Sequence, residues 1–344
     1  MDRHDGRPEA ATRFPFLGRV LAVGCIAVAG WLLTRQLEHV QWSAVVEALQ
    51  AFTPGSLFIA AALAATSHAL YASYELIGRR LTRHGVPVRR TLAIGAISYA
   101  FNLNLGTLIG GFATRYRLYA NAGLEVAQTV QVIGVSVVTN WSGYCALAGT
   151  VLLWRPPALP DEGVLSGLPL RAIGVLLLVI AAAYVIGCAL APGRRLAWRG
   201  HALTTPSARV ALLQLVLSAA NWATIATLVW WLLQRPVEWS TVLGVFLLAA
   251  VAGIVVRVPA GLGVIEAVFL AMLGDRVPPA ALLAGLIVHR VVYYLVPLAI
   301  AGAAMLWLEH RHRRDAPAAA APEPVNGPAR ARAPAPSSSR SGRE

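Results

Sequence analysis

Six stretches of the chain stay apolar for close to the ~20 residues that span a bilayer. They are Phe16–Thr34, Leu57–Ile77, Val126–Trp154, Ala172–Ala191, Val210–Leu233 and Ala280–Leu308. Nothing constrains the fold more, because lipid offers no partner to backbone N–H and C=O groups, which must then be satisfied within helices or a closed barrel. The runs are continuous rather than alternating, so a barrel is excluded. Of the 344 residues, 57% are hydrophobic and 13% charged, against ~25% charged in soluble domains. The reading is an all-α polytopic membrane protein. Cys25, Cys145 and Cys188 lie in separate apolar runs and form neither a metal spacing nor a disulfide framework. No metal site and no cofactor are expected.

The net charge is +13, and all 29 basic residues are arginine. They gather on no soluble module, so nucleic acid is not an expected partner. They set orientation instead, by the excess of basic residues on cytoplasmic loops. Arg3, Arg7, Arg13 and Arg19 precede or open the first run, which ends in "WLLTRQLE". No small-x-small cleavage site follows, so a retained helix fits better than a signal peptide. Residues 1–15 are read as a cytoplasmic segment and 16–310 as the membrane domain. Residues 315–344, rich in Ala, Pro, Ser and Arg, are read as a disordered cytoplasmic tail. The half-apolar "QLEHVQWSAVVEALQAFTPG" reads as an amphipathic interfacial helix on the outer face.

Charge placement demands two further features. "GRRLTRHGVPVRR" carries five arginines and marks the inside. If residues 91–109 crossed once, Arg115, Arg117 and the "APGRRLAWRGH" arginines would all fall outside. A hairpin over 91–122, turning at "GTLIGG", keeps them inside. The basic "HRHRR" likewise requires 240–274 to start and finish outside, turning near "RVPAGLG". This arrangement leaves 22 arginines inside, five outside (Arg35, Arg155, Arg171, Arg235, Arg276) and two embedded (Arg257, Arg290). The expected fold is therefore about six crossing helices plus two broken or re-entrant hairpins that enter from opposite faces. Each hairpin either re-enters or spans. Its breaking residues are Gly110 and Gly111 in the first, and Pro259, Gly261 and Gly263 in the second. Paired interruptions of this kind point to a transport site near the midplane.

Polar residues inside the runs supply the candidate site, since ionisable groups there are costly. His68, Tyr71 and Glu75 share one helical face; Glu75 either snorkels at the inner end or is functional. Asn102 and Asn104 precede the first break and Arg115 follows it, where a planar guanidinium suits phosphate. Arg257 and Glu266 flank the second break, and the turn brings them within reach of each other. That pair either locks the hairpin or binds a headgroup. His289 and Arg290 sit within the last run, Arg290 on a cavity face or in a structural ion pair. Asn140–Trp141 and Asn221–Trp222 read as interhelical hydrogen-bonding pairs. No Walker loop, GxSxG or HExxH motif is present, which argues against direct ATP use and the common hydrolase chemistries.

"YAFNLNLGTLIGGFATRYRLY", "VTNWSGY", "RVPAGLGVIEAVFLAML" and "HRVVYYLVPLAI" together resemble the bacterial inner-membrane YbhN family. That family is similar to the membrane, flippase-like region of lysylphosphatidylglycerol synthase. The resemblance runs over residues 15–310 and includes the full R-x-P-x-G-x-G-x-x-E pattern at Arg257, Pro259, Gly261, Gly263 and Glu266, with Arg290 downstream. It implies an integral inner-membrane protein whose larger relatives move an aminoacylated phospholipid between leaflets; the expectation is a phospholipid translocase, its lipid anionic by the arginines of its site and both its termini cytoplasmic by the charge bias. The larger relatives carry an aminoacyl-transferase domain that this sequence is not expected to contain, so synthase activity is not expected. The alternative is a non-transporting scaffold or lipid-binding partner of a lipid-synthesis enzyme.

Overall fold

The computed structural model describes residues 41–159, 169–198, 201–256 and 261–315. The expected helix 16–34, the segment 1–15 and the tail beyond Asp315 lie outside the described residues, as do Arg257 and Pro259. Two compact units divide the chain, Met1–Ala304 and Met305–Glu344; residues 305–315 of the second are helical.

The elements run α1 (Trp42–Gln50), α2 (Pro54–Thr82), α3 (Val88–Gly106), a π-helical segment (Thr107–Ala113), α4 (Thr114–Ala120), α5 (Val126–Trp154) and α6 (Leu170–Leu190). A two-stranded ribbon follows, β1 (Arg195–Trp198) and β2 (His201–Thr204). Then come α7 (Ala208–Leu232), α8 (Trp239–Val256), α9 (Val264–Leu273), α10 (Pro279–Arg290), a second π-helical segment (Val291–Leu295) and α11 (Val296–Asp315). The fold is helical as read, with one addition. The arginine-bearing loop after α6 closes into an antiparallel ribbon, Arg195 opposite Thr204.

Among the described residues six helices are long and apolar enough to cross a membrane: Pro54–Thr82, Val126–Trp154, Leu170–Leu190, Ala208–Leu232, Trp239–Val256 and Pro279–Leu308. Five match the apolar windows of the sequence. The sixth, α8, is the leading arm of the second hairpin. Its 18 residues extend ~27 Å at 1.5 Å per residue. The returning arm α9 has 10 residues, ~15 Å, against a ~30 Å hydrocarbon layer. At the turn Gly261 and Gly263 have φ of +57° and +79°, values that side chains resist.

In the first hairpin the α-helix stops at Gly106, φ +80°. Gly110 and Gly111 lie beyond that turn, inside the π-helical return, and serve close approach. A Cβ on Gly110 would stand 2.0 Å from the Phe101 carbonyl oxygen, and one on Gly111 2.6 Å from Asn102 Oδ1.

The amphipathic segment forms α1, whose Val45 is buried while Ala48, Leu49 and Phe52 rest on the core. Trp42 and Val46 on its other side are exposed. Helix α2 begins at a Thr53 cap, whose side chain accepts from Ser56 N at 3.2 Å, followed by Pro54. Both are favoured at helix starts.

Small residues set the helix spacing. Gly149 of α5 meets Gly174 of α6, and a Cβ on the first would lie 2.9 Å from the carbonyl of the second. Gly143 of α5 meets α7 at Ser218, whose Oγ donates to the Asn140 carbonyl at 2.7 Å. Trp222 Nε1 donates to the same carbonyl and Asn221 accepts from Ser67 of α2, so the Asn–Trp motifs do tie helices together. A Cβ at Gly143 would stand 2.3 Å from Ser218 Cβ and 2.6 Å from Ala219 N. Backbone cannot yield as a flexible side chain does, so Gly143→Ala is expected to cost about 1–3 kcal/mol. Thermal unfolding in detergent checks this, and an unchanged midpoint would rule it out.

Candidate functional site

The sequence places charged residues at both hairpins, and the packing of α2, α3, α5 and α10 joins them. Glu75 is fully buried on α2, so it does not snorkel. Its Oε1 lies 2.9 Å from Arg115 Nε and accepts from Ser136 Oγ at 3.1 Å, while Oε2 accepts from Tyr119 OH at 2.7 Å. Gly95 of α3 makes room for it, since a Cβ there would meet Glu75 Cγ at 2.7 Å. Arg115 is 4% exposed, and its Nη2 has no hydrogen-bond partner among the described residues. The Ser98 hydroxyl and Asn102 Oδ1 on α3 are likewise buried without a partner.

At the second hairpin, Arg290 clasps Glu266 in a two-point grip, Nε to Oε1 at 2.5 Å and Nη2 to Oε2 at 2.8 Å. Nη2 also donates to the Gly261 carbonyl at the turn, 3.0 Å away. Such paired contacts exploit the planar guanidinium. Glu266 occupies the first turn of α9, where the positive end of the helix dipole favours a carboxylate. The described partner of Glu266 is thus Arg290; the expected contact with Arg257 lies outside the described residues. These two side chains are 15% and 12% exposed, against 4% and 0% for Arg115 and Glu75. Leu262, at the same turn, and Leu295 are exposed.

Aromatic rings connect the two ion pairs. Arg115 lies 5.7 Å over Tyr71, which stacks on Tyr99 at 3.6 Å. Tyr99 OH and Tyr293 OH are 2.7 Å apart, and Tyr293 OH and Ser67 Oγ 2.8 Å. Ser67 donates to Asn221 Oδ1 at 2.6 Å. Each hydroxyl has one hydrogen, so the chain runs in one direction, Tyr99 to Tyr293 to Ser67 to Asn221. His289 stacks on Tyr293 at 5.3 Å, and Arg290 lies 5.7 Å over Tyr294. His68 contacts both Tyr99 and Tyr293, each at 5.0 Å, and its Nδ1–H donates to the Ala64 carbonyl at 2.9 Å. Asn104 Nδ2 donates to the Tyr294 carbonyl at 3.2 Å.

The predicted residues Glu75, Arg115, His68, Asn104, Glu266, His289 and Arg290 therefore contribute to one buried polar seam. Asn102 sits beside Gly111 at the first hairpin. Sequence reasoning did not select Tyr99, Tyr119, Ser136 or Ser67. Only their placement in otherwise apolar runs distinguishes them, and the partners are remote in the chain.

Long apolar helices enclosing charge pairs define a multi-pass integral membrane protein. The chain belongs to the family of the lysylphosphatidylglycerol synthase TM region, whose model matches residues 19–301. It is similar to inner membrane protein YbhN of Escherichia coli, 37% identical over 279 residues, which cover 81% of this chain and 88% of the relative. An uncharacterised protein from Synechocystis sp. is 29% identical over 300 residues, covering 85% and 90%. A phosphatidylglycerol lysyltransferase of Staphylococcus haemolyticus is 24% identical over 288 residues, which cover 81% of this chain but 32% of the enzyme.

Proposed function

We propose that the chain translocates anionic phospholipid between membrane leaflets. The observation carrying this reading is the Arg290–Glu266 clasp at the turn of the second hairpin, more accessible than the Glu75–Arg115 pair and flanked by exposed Leu262 and Leu295. A headgroup phosphate would take the place of Glu266 on Arg290, while the exposed leucines keep the acyl chains in lipid. Arg257 joins the proposal from its position in the sequence alone. The second hairpin re-enters in this reading, since its returning arm α9 is too short to cross, and the first is taken to do the same from the opposite face. Similarity to a lysyltransferase supports a phospholipid as cargo.

The protein resides in the cytoplasmic membrane in this proposal, which the inner-membrane relative from Escherichia coli supports. Its arginine-rich end (Arg79, Arg80, Arg83, Arg89, Arg90, Arg117, Arg194, Arg209) and both termini face the cytoplasm. In a cysteine-free background, an impermeant thiol reagent applied outside should label Glu238→Cys and miss Gly85→Cys. The opposite pattern overturns the orientation.

The function is tested in vesicles carrying labelled anionic phospholipid. Wild type should speed exchange between leaflets over protein-free vesicles, and Glu266→Gln should lower that rate about tenfold, ~1.4 kcal/mol. If wild type adds nothing to the protein-free rate, translocation fails for those lipids, and the scaffold reading takes its place.

A further inference from the structure

We propose that the buried Glu75–Arg115 pair is a proton-linked phosphate site, in which a phosphate monoanion takes the place of Glu75 on Arg115 while Glu75 binds a proton. This rests on the translocation reading, and deepens it by naming how transport couples to protons.

Charge balance carries the argument. Glu75 and Arg115 are 0% and 4% exposed, and their charges cancel. An uncompensated charge in such a place is strongly unfavourable. A phosphate monoanion reaching Arg115 while Glu75 stayed ionised would leave one negative charge in excess. A proton on Glu75 restores neutrality, so the two ligands favour each other, and linkage makes that coupling reciprocal.

The donors such an anion needs are in place. Arg115 Nη2 and the Ser98 hydroxyl are buried and lack hydrogen-bond partners among the described residues. Each element around the carboxylate buries polar groups of its own. Helix α2 brings Tyr71, Tyr74 and, one turn on, Arg79, whose Nε donates to the Val86 carbonyl at 2.8 Å. Helix α3 brings Thr91, Ser98 and Tyr99; α4 brings Arg115 and Tyr119; α5 brings Ser136 and Thr129. The loop after α2 brings His84, edge-on to Tyr119 at 5.6 Å, with its Nε2 buried and unpartnered among the described residues. Among the described residues, Arg115 is the ion-pair partner of Glu75.

A route for the proton follows from the same contacts. Tyr119 OH already donates to Glu75, and His84 stands between Tyr119 and the arginine-rich end. Burial foremost, then the nearby Arg79 cation, hold the His84 pKa below the ordinary histidine value, while the Glu75 carboxylate acts in the opposite sense. His84 is thus kept neutral, and because its Nδ1 accepts from Val86 N at 3.3 Å its hydrogen sits on Nε2, to be passed inward as Nδ1 takes up another.

The test uses the full chain in phosphatidylcholine nanodiscs, with two probes. One is inorganic phosphate added to the medium; the other is phosphatidylglycerol included in the disc. Proton uptake is followed with a pH indicator in weak buffer. The expected result is about one proton per anion bound, from charge neutrality. Phosphatidylglycerol is a diester and takes up no proton itself, so uptake with that probe, abolished in Glu75→Gln, assigns this site to a lipid headgroup. Uptake with phosphate, abolished in Glu75→Gln, assigns it to the free anion.

Infrared difference spectra give a second readout. They should gain a protonated carboxylic C=O band on anion binding, and the band should shift in Glu75→Asp. Anion binding without uptake or band overturns the proposal, as does binding that survives unchanged in Arg115→Gln. So does an absence of any binding. Lipid exchange with no proton uptake refutes this proposal alone. Uptake without lipid exchange refutes the translocation reading alone.

Discussion

Glu75→Ala is expected to destabilise the membrane domain by about 3–5 kcal/mol, because it leaves the Arg115 guanidinium buried without a counter-charge. Arg115 is 4% exposed and held between Glu75 and the Tyr71 ring, so it cannot reach water by a change of rotamer. Tyr119 and Ser136 would also lose their acceptor, which adds two buried donors to the cost. Replacing both charges, as in Glu75→Gln with Arg115→Met, should recover a large part of the loss, since an apolar or neutral pair of similar size removes the stranded charge. Thermal unfolding of both variants in detergent, completed as a double-mutant cycle, measures the coupling. A single variant as stable as wild type would show that the pair carries little weight.

Arg290→Ala carries the second large effect. It deletes both contacts to Glu266 and the bond to the Gly261 carbonyl, so the second hairpin loses its described fastening and a carboxylate is stranded beside it. We expect lipid exchange at no more than about a tenth of the wild-type rate, a loss of ~1.4 kcal/mol or more. A cysteine at Leu262, already exposed, should react faster still. Arg290→Lys separates charge from shape. It keeps the cation but cannot hold two carboxylate oxygens and a carbonyl in one plane, and should fall between the two. If Arg290→Lys matched wild type in both measurements, the two-point grip would be irrelevant to function.

These residues also show how far the sequence could be read. The long helices were legible, because some twenty consecutive apolar residues have few other fates. The second helix break was legible through Gly261 and Gly263, whose positive φ explains why glycine stands there. The first break was legible too, yet it falls at Gly106. Gly110 and Gly111 are glycines for another reason, the near approach of the α3 backbone. A run of glycines announces that something unusual happens, without saying whether it is a turn or a contact.

The ion pairs were least legible. Arg257 stands near Glu266 in sequence, but Arg290, which holds it, arrives on α10 through tertiary packing. Glu75 and Arg115 stand on α2 and α4, and Gly95 of the intervening α3 leaves the room that the Glu75 side chain occupies. Embedded charge told the reader that partners must exist; only the packing named them.

The end of α10 and the π-helical segment after it touch both hairpins within five residues. Arg290 grips the turn of the second, and the Tyr294 carbonyl is gripped by Asn104 beside the turn of the first. Between those two points the chain is π-helical, a widened coil that often marks a functional place in a helix. The stretch Val291–Leu295 therefore works as a shared fulcrum: displacing either hairpin loads the same coil on which the other hangs. Two breaks far apart in the chain thereby answer to one short piece of backbone.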